Sequence, residues 1–209
     1  MTAGADKSEI ADETCQGQLT QRKLLAAGFC QYERISFISA TEPRITQTRD
    51  ILRAGRSAAV LPLDPARQQV VLLRQFRLAA QVAGANANLI EIVAGHVDAQ
   101  EEPAEAARRE CLEEIGLVPM PLIELLTYFP SPGISDEQIA LFLGIVDSST
   151  LSQRGGREAE HEVISLMRVS IDAALAALTE RTIHNGPLIL ALQWLALNRD
   201  RLTEIVARA

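Results

Sequence analysis

The stretch from Gly95 to Leu117, GHVDAQEEPAEAARRECLEEIGL, constrains this chain more than any other part of it. Pro103 suits a first helical turn, where a missing N–H costs nothing, and Gly116 suits the far end, where a left-handed cap is wanted. Between them Ala104, Ala107, Cys111 and Ile115 form a narrow apolar stripe that fits against a sheet. Glu110, Glu113 and Glu114 stand at i, i+3 and i+4, so three carboxylates crowd one helix face. Like charges at that spacing destabilise a bare helix. A hard divalent cation removes the conflict, because Mg²⁺ takes oxygen ligands and bridges carboxylates to phosphates. An acidic run by itself is usually a solvated helix face. Gly95, Glu101, Arg109 and Gly116 around this one shift the balance towards a metal.

The chain has room for one compact domain and a small appended unit: 209 residues, 47% hydrophobic. Aromatic residues are only 4%, so the expected core is Leu, Ile, Val and Ala. A net charge of −7 and a pI near 5.1 argue against nonspecific nucleic-acid binding, which needs a basic surface. Cys15, Cys30 and Cys111 have no metal-ligand spacing and read as free thiols of a reducing compartment. The N-terminus lacks an apolar signal region, and the run Leu188–Leu197 is too short for a membrane span and is broken by Gln193. The expectation is a cytoplasmic protein with no membrane partner.

Residues 1–20 read as a flexible tail, 21–55 as a β-rich N-terminal segment and 56–209 as the main domain. Strands are expected over Ser57–Leu61 and Val70–Arg77, joined through the turn Asp64-Pro65-Ala66-Arg67. A single strand over Asn88–Ala94 runs into Gly95, and others follow at Leu122–Phe129, Ile139–Val146 and Val163–Val169. Residues 147–159 have the composition of a mobile loop. Ser170 caps a helix over Ile171–Thr179, and Pro187 opens a last helix through Leu188–Val206. Strands flanked by helices on both sides indicate an α/β sandwich with a mixed sheet.

The spacing G-x5-E-x7-R-E-U-x-E-E-x-G-U, where U is bulky and apolar, is filled at every fixed position by Gly95, Glu101, Arg109, Glu110, Glu113, Glu114 and Gly116 with their apolar partners. Chance would do this in a chain of this length roughly once in a million. On this stretch the chain resembles the Nudix hydrolases, which cleave a nucleoside diphosphate linked to another moiety. Over residue 21 to the C-terminus it looks most like the bacterial ADP-ribose pyrophosphatases. The stretches that carry this are AAVLPLDPARQQVVLLRQFRLAA at 58–80, FPSPGISDE at 129–137, EAEHEV at 158–163 and NGPLILALQWLALNRDRL at 185–202.

The resemblance implies a Nudix α/β/α sandwich and a homodimer built through the N-terminal strands. It implies two or three Mg²⁺ ions, with Mn²⁺ as the alternative, held by Glu110, Glu114, Glu162 and the carbonyl of Ala94. Glu113 belongs to the same metal-facing set, and Glu160 is the implied general base. Arg109 is implied to be structural, pairing with Glu101 or Glu113. Phe29 is implied to stack on the adenine, Arg49 and Arg77 to meet phosphates or base, and Glu137 to face the terminal ribose. The implied reaction is metal-assisted hydrolysis of ADP-ribose to AMP and ribose 5-phosphate. Its alternatives are another nucleoside diphosphate sugar, such as GDP-mannose or a UDP-sugar, and a non-catalytic ADP-ribose sensor. The intact acidic set argues against the sensor.

Overall fold

The computed structural model describes residues 10–152, 154–155 and 164–208, in two units. The first takes the chain up to Ala54 together with Ser131–Asp136. It is an antiparallel meander of β1 (Gly17–Ala26), β2 (Gln31–Ser39) and β3 (Thr46–Arg53). β1 starts inside the stretch that reads as a tail, and all ten of its residues are exposed. With no face to bury, it carries no apolar period to betray it; its order comes from pairing with β2, as in Leu19 with Phe37. The segment Ser131–Asp136 is stitched to β3. Leu52 N–H donates to the Ile134 carbonyl at 2.9 Å, and Asp136 N–H donates to the Leu52 carbonyl at 3.2 Å. Arg53 reaches Asp136 at 2.7 Å and the buried Glu33 at 3.3 Å, and Glu33 also receives Arg22 at 2.8 Å.

The second unit is a mixed sheet between helical layers, built from β4 (Arg56–Asp64), β5 (Gln69–Phe76), β6 (Asn88–Glu91), β7 (Val93–His96), β8 (Leu122–Tyr128), β9 (Gln138–Ile145), β10 (Arg154–Gly155) and β11 (Ile164–Ser170). The strand order is β10-β11-β5-β4-β9-β8, with β6 on β5 and β7 on β4; among the described strands of this sheet only β4 and β9 are parallel. The central β4 supplies both cores. Ala58 and Val60 face α2 (Pro103–Ile115), whereas Ala59, Leu61 and Leu63 face α3 (Ile171–Thr179) and α4 (Gly186–Asn198). A strand buried on both faces reads as a continuous apolar run, as AAVLPL does. The expected α/β/α sandwich is therefore the fold of this unit.

Four local departures have physical causes. The single strand expected over Asn88–Ala94 is two, because β6 pairs with β5 and β7 with β4, a change of partner at Ile92 that needs no turn residue. A short helix α1 (Leu78–Val82) follows β5 without buried residues, so no amphipathic pattern announces it. The last helix breaks after Asn198 into a 3₁₀ turn, Arg199–Arg201, and α5 (Leu202–Ala207). The loop after β9 is anchored where it begins: Ser148 is fully buried, and its N–H and hydroxyl donate to Asp64 at 2.9 and 2.8 Å. Among the described residues no helix is long and apolar enough to cross a membrane.

Asp64 also accepts from Arg67 N–H and from its guanidinium, both at 3.0 Å, closing the β4–β5 turn. Burial alone pushes its carboxyl up, but the Ser148 and Arg67 donors outweigh burial and hold it at about 2. Its pKa is lower folded than unfolded. The associated stability is therefore present above the unfolded value of about 4 and lost as pH falls through about 2, some ~2–3 kcal/mol in all. Asp64→Ala is expected to lose about 3 kcal/mol at neutral pH, since it strands buried donors. Urea unfolding of both proteins at neutral and acid pH tests this: the gap should narrow by about 2 kcal/mol on acidification, and a constant gap refutes the assignment.

Candidate active site

The site is built where β7 hands the chain to α2. Glu102 caps the helix, with Glu105 accepting from its N–H at 3.2 Å, and Pro103 takes the first turn. At the other end Gly116 has φ 70°, and its N–H returns to Leu112. Ala107, Cys111 and Ile115 are buried against Val60, Val71, Leu73 and Val93, with Ala106 added to the expected stripe and Ala104 half-buried beside it. This packing turns Glu110 towards the sheet, where it meets Gly95. A Cβ on Gly95 would lie 2.1 Å from the Glu110 carboxylate. The glycine is thus required by space. Its absent side chain is the seat of a carboxylate.

Arg109 sits among the acids. Its guanidinium donates to both oxygens of Glu101, at 3.0 and 2.9 Å, to Glu110 at 2.6 Å, to Glu113 at 3.3 Å and to the His96 carbonyl at 2.9 Å. Glu101 in turn accepts from Asp98 N–H at 3.1 Å, which pins the loop between β7 and α2. The Arg109 pKa is raised, first by its bond to Glu101 and then by Glu110, against burial. Glu101 is held below the usual carboxylate range, chiefly by Arg109. One planar fork therefore touches three acids and ties helix, loop and strand together. The side chains of Glu101, Glu110 and Glu113 are each less than one-fifth exposed, so these are not ordinary surface pairs.

Glu114 lies on the same helix with its Oε2 atom buried. Beside it runs β10: a Cβ on Gly155 would meet the Glu114 carbonyl at 1.8 Å, so the chain at Gly155 lies flush against the end of α2. Glu160 and Glu162 lie outside the described residues. Among those described, no three Asp, Glu, His or Cys side chains make a metal cage of their own. The half-buried oxygens of Glu110, Glu113 and Glu114 nonetheless suit a hard cation, with the Gly95 cradle fixing the first of them. Cys111 offers no nucleophile. Burial, with Glu114 and Glu110 adding to it, drives its thiol pKa far up.

The remaining expected residues fall elsewhere. Arg77 donates from Nε and Nη2 to Glu91 at 2.9 and 2.7 Å, so the two-pronged face expected to meet phosphate is engaged by a carboxylate. Glu91 is 3% exposed, and its signal in the sequence was an acid inside the apolar run Leu89–Ala94. Glu137, before β9, accepts from the Ser57 hydroxyl at 2.9 Å. The neighbouring Tyr128 hydroxyl is pushed up to about 12, by burial and then by the charge of Glu137. Phe29 and Arg49 belong to the N-terminal unit. Phe29 is 89% exposed at the β1–β2 turn, and Arg49, on β3, donates to the Thr48 carbonyl at 2.9 Å.

The description "NUDIX domain" matches residues 53–192. The chain is 37% identical over 154 residues to an ADP-ribose pyrophosphatase of Escherichia coli K12, covering 74% of each. It is 33% identical over 193 residues to an ADP-ribose pyrophosphatase of Haemophilus influenzae, covering 90% of this chain and 89% of that one. A GDP-mannose pyrophosphatase of Cronobacter sakazakii is 30% identical over 183 residues, covering 86% of this chain and 95% of the other.

Gly95→Ala is the sharpest probe of this geometry. The added methyl must push the Glu110 carboxylate off its seat, and divalent-ion binding measured by calorimetry is expected to weaken tenfold or more. Circular dichroism should remain that of the parent, because the change is confined to one contact. Unaltered ion affinity would separate Glu110 from any metal.

Proposed function

The chain belongs to the Nudix family, and on that premise we propose that it hydrolyses the diphosphate bond of ADP-ribose to AMP and ribose 5-phosphate. The observation that carries the reading is the carboxylate set of α2 seated over Gly95 and braced by Arg109. Identity of 37% and 33% to two ADP-ribose pyrophosphatases favours that substrate. The GDP-mannose pyrophosphatase at 30%, which spans more of this chain than the Escherichia coli protein does, supports a second reading with GDP-mannose as substrate.

Nudix enzymes generally use divalent metal ions. In our reading Glu110, Glu114, Glu162 and the Ala94 carbonyl hold Mg²⁺, with Glu113 beside them. Ions held there would supply positive charge to the diphosphate oxygens and make a bound water more acidic. Glu160 takes the proton of the attacking water. Arg109 orders the acids around it, with Glu101 on Nε and Nη2 and both Glu110 and Glu113 on Nη1. Arg77, held by Glu91 through Nε and Nη2, brings its positive charge to the phosphates or the base. Phe29 and Arg49 contact the nucleotide, and Glu137 contacts the far ribose. The N-terminal strands form a homodimer. The exposed Leu19, Leu24 and Leu25 on β1, which has no inner face, are what a partner would cover.

Product identification with ADP-ribose, GDP-mannose and a UDP-sugar is the primary test: AMP as the dominant product supports the reading, and GMP from GDP-mannose alone overturns it. Glu114→Gln should abolish turnover without unfolding the protein, and near-normal turnover at saturating Mg²⁺ would remove Glu114 from the site. Glu160→Gln should lower kcat on the order of a hundredfold with the Mg²⁺ requirement unchanged, whereas Glu162→Gln should raise that requirement and recover in excess metal. Identical profiles for the two variants would show their roles to be shared. Sedimentation should give a dimer at micromolar concentration; an active monomer rejects the N-terminal interface.

A further inference from the structure

The sheet face turned away from α2 carries a pocket of about 570 Å³ among β5, β6, β11, α3 and α4, within the size range of small-ligand sites. Its floor is apolar: the half-buried Ile90, Met167 and Val169 pack on the core between the sheet and the two helices and leave part of their surface to the pocket. Its rim is polar. Arg74 reaches this face because it follows Leu72 by two positions on β5, and it is exposed. It forms no ion pair with any described residue. Arg74 and His184 are the ionisable groups of the lining, and no Asp or Glu is among them, in a chain whose net charge is −7. α4 also opens here. Asn185 caps the Leu188 N–H at 3.0 Å, so the positive end of a 13-residue helix borders the pocket. The amide of Asn88 adds a further hydrogen-bonding group at the rim.

An apolar floor beneath a rim that carries an arginine and, among the described residues, no carboxylate selects for a ligand with an apolar body and one anionic head. We infer that this pocket binds a small amphipathic carboxylate, its alkyl chain on Ile90, Met167 and Val169 and its carboxylate on the Arg74 fork. A single guanidinium matches a carboxylate in charge and in its two parallel N–H···O bonds. The site lies on the opposite sheet face from the carboxylates of α2, so it stands whether or not the diphosphate is the substrate.

Octanoate is the probe, titrated calorimetrically into the full-length protein, with acetate (head alone) and octanol (body alone) as controls. The expected result is saturable binding of one octanoate per chain, with acetate and octanol each weaker by about tenfold or more, since either lacks half of the recognition. Arg74→Gln should weaken octanoate by about tenfold or more, because it removes a charge-assisted pair. Ala173→Trp, at an exposed lining position of α3, should block the pocket while leaving the core unchanged. No saturable octanoate binding overturns the inference. So does binding that both variants leave intact, or acetate bound as tightly as octanoate. Equal loss of octanol and octanoate binding in Arg74→Gln would mark a general unfolding of the pocket and likewise reject a carboxylate site.

Discussion

Glu101, Glu110 and Glu113 crowd one part-buried corner, and the positive charge set among them is Arg109. Its five contacts join α2, the loop before it and the carbonyl end of β7. Removing one member of such a set leaves a buried charge unbalanced, at a cost of ~3–5 kcal/mol, more than the surface pairs elsewhere in the chain are worth. A cation arriving at Glu110 competes with one guanidinium nitrogen at 2.6 Å, while Glu101 keeps the rest of the fork in place. The scaffold of the site therefore does not depend on the ion that the site is suited to hold.

That scaffold needs a rigid wall, and β4 is the wall. It pairs with β7 on one side and with β9 on the other, and its residues alternate between the two cores. β7 is only four residues long, yet it is fixed through Ala58 with Gly95 and Ala59 with Ala94. A shift of one residue there would bring a Cβ under Glu110 and turn the core positions outward.

Much of this was legible in the sequence because the signals were local. Pro103, Gly116 and the stripe through Ala107 and Cys111 announced a capped helix lying on a sheet, and AAVLPL announced a strand buried on both faces. What the sequence withheld depends on partners distant in the chain. β1 has no buried face, so only its pairing with β2 makes it a strand. The split at Ile92 is a change of hydrogen-bonding neighbour inside an unbroken apolar run. Spacing could bring Arg109 to Glu101 and Glu113, but the pairing of Arg77 with Glu91 joins residues 14 apart that become neighbours only once β5 and β6 are paired. The acidic set of α2 was visible residue by residue; the seat that Gly95 makes for Glu110 was not, because it exists only after the helix lies down.

The parallel pairing of β4 with β9 governs when that seat comes into being. Ser57 and Glu137, at the start of this pair, are 80 residues apart, and the whole of Gly95–Leu117 lies within the loop they close. A chain synthesised from its N-terminus exposes β4, β7 and α2 well before β9 is available, so the sheet beneath the helix lacks a neighbour during that interval. Closure of a long loop has to precede the contacts that reward it, which places the assembly of the acidic site late in folding. Partly folded chains would then carry an acidic helix without a finished floor, and the seat for Glu110 would form in the same step that completes the fold.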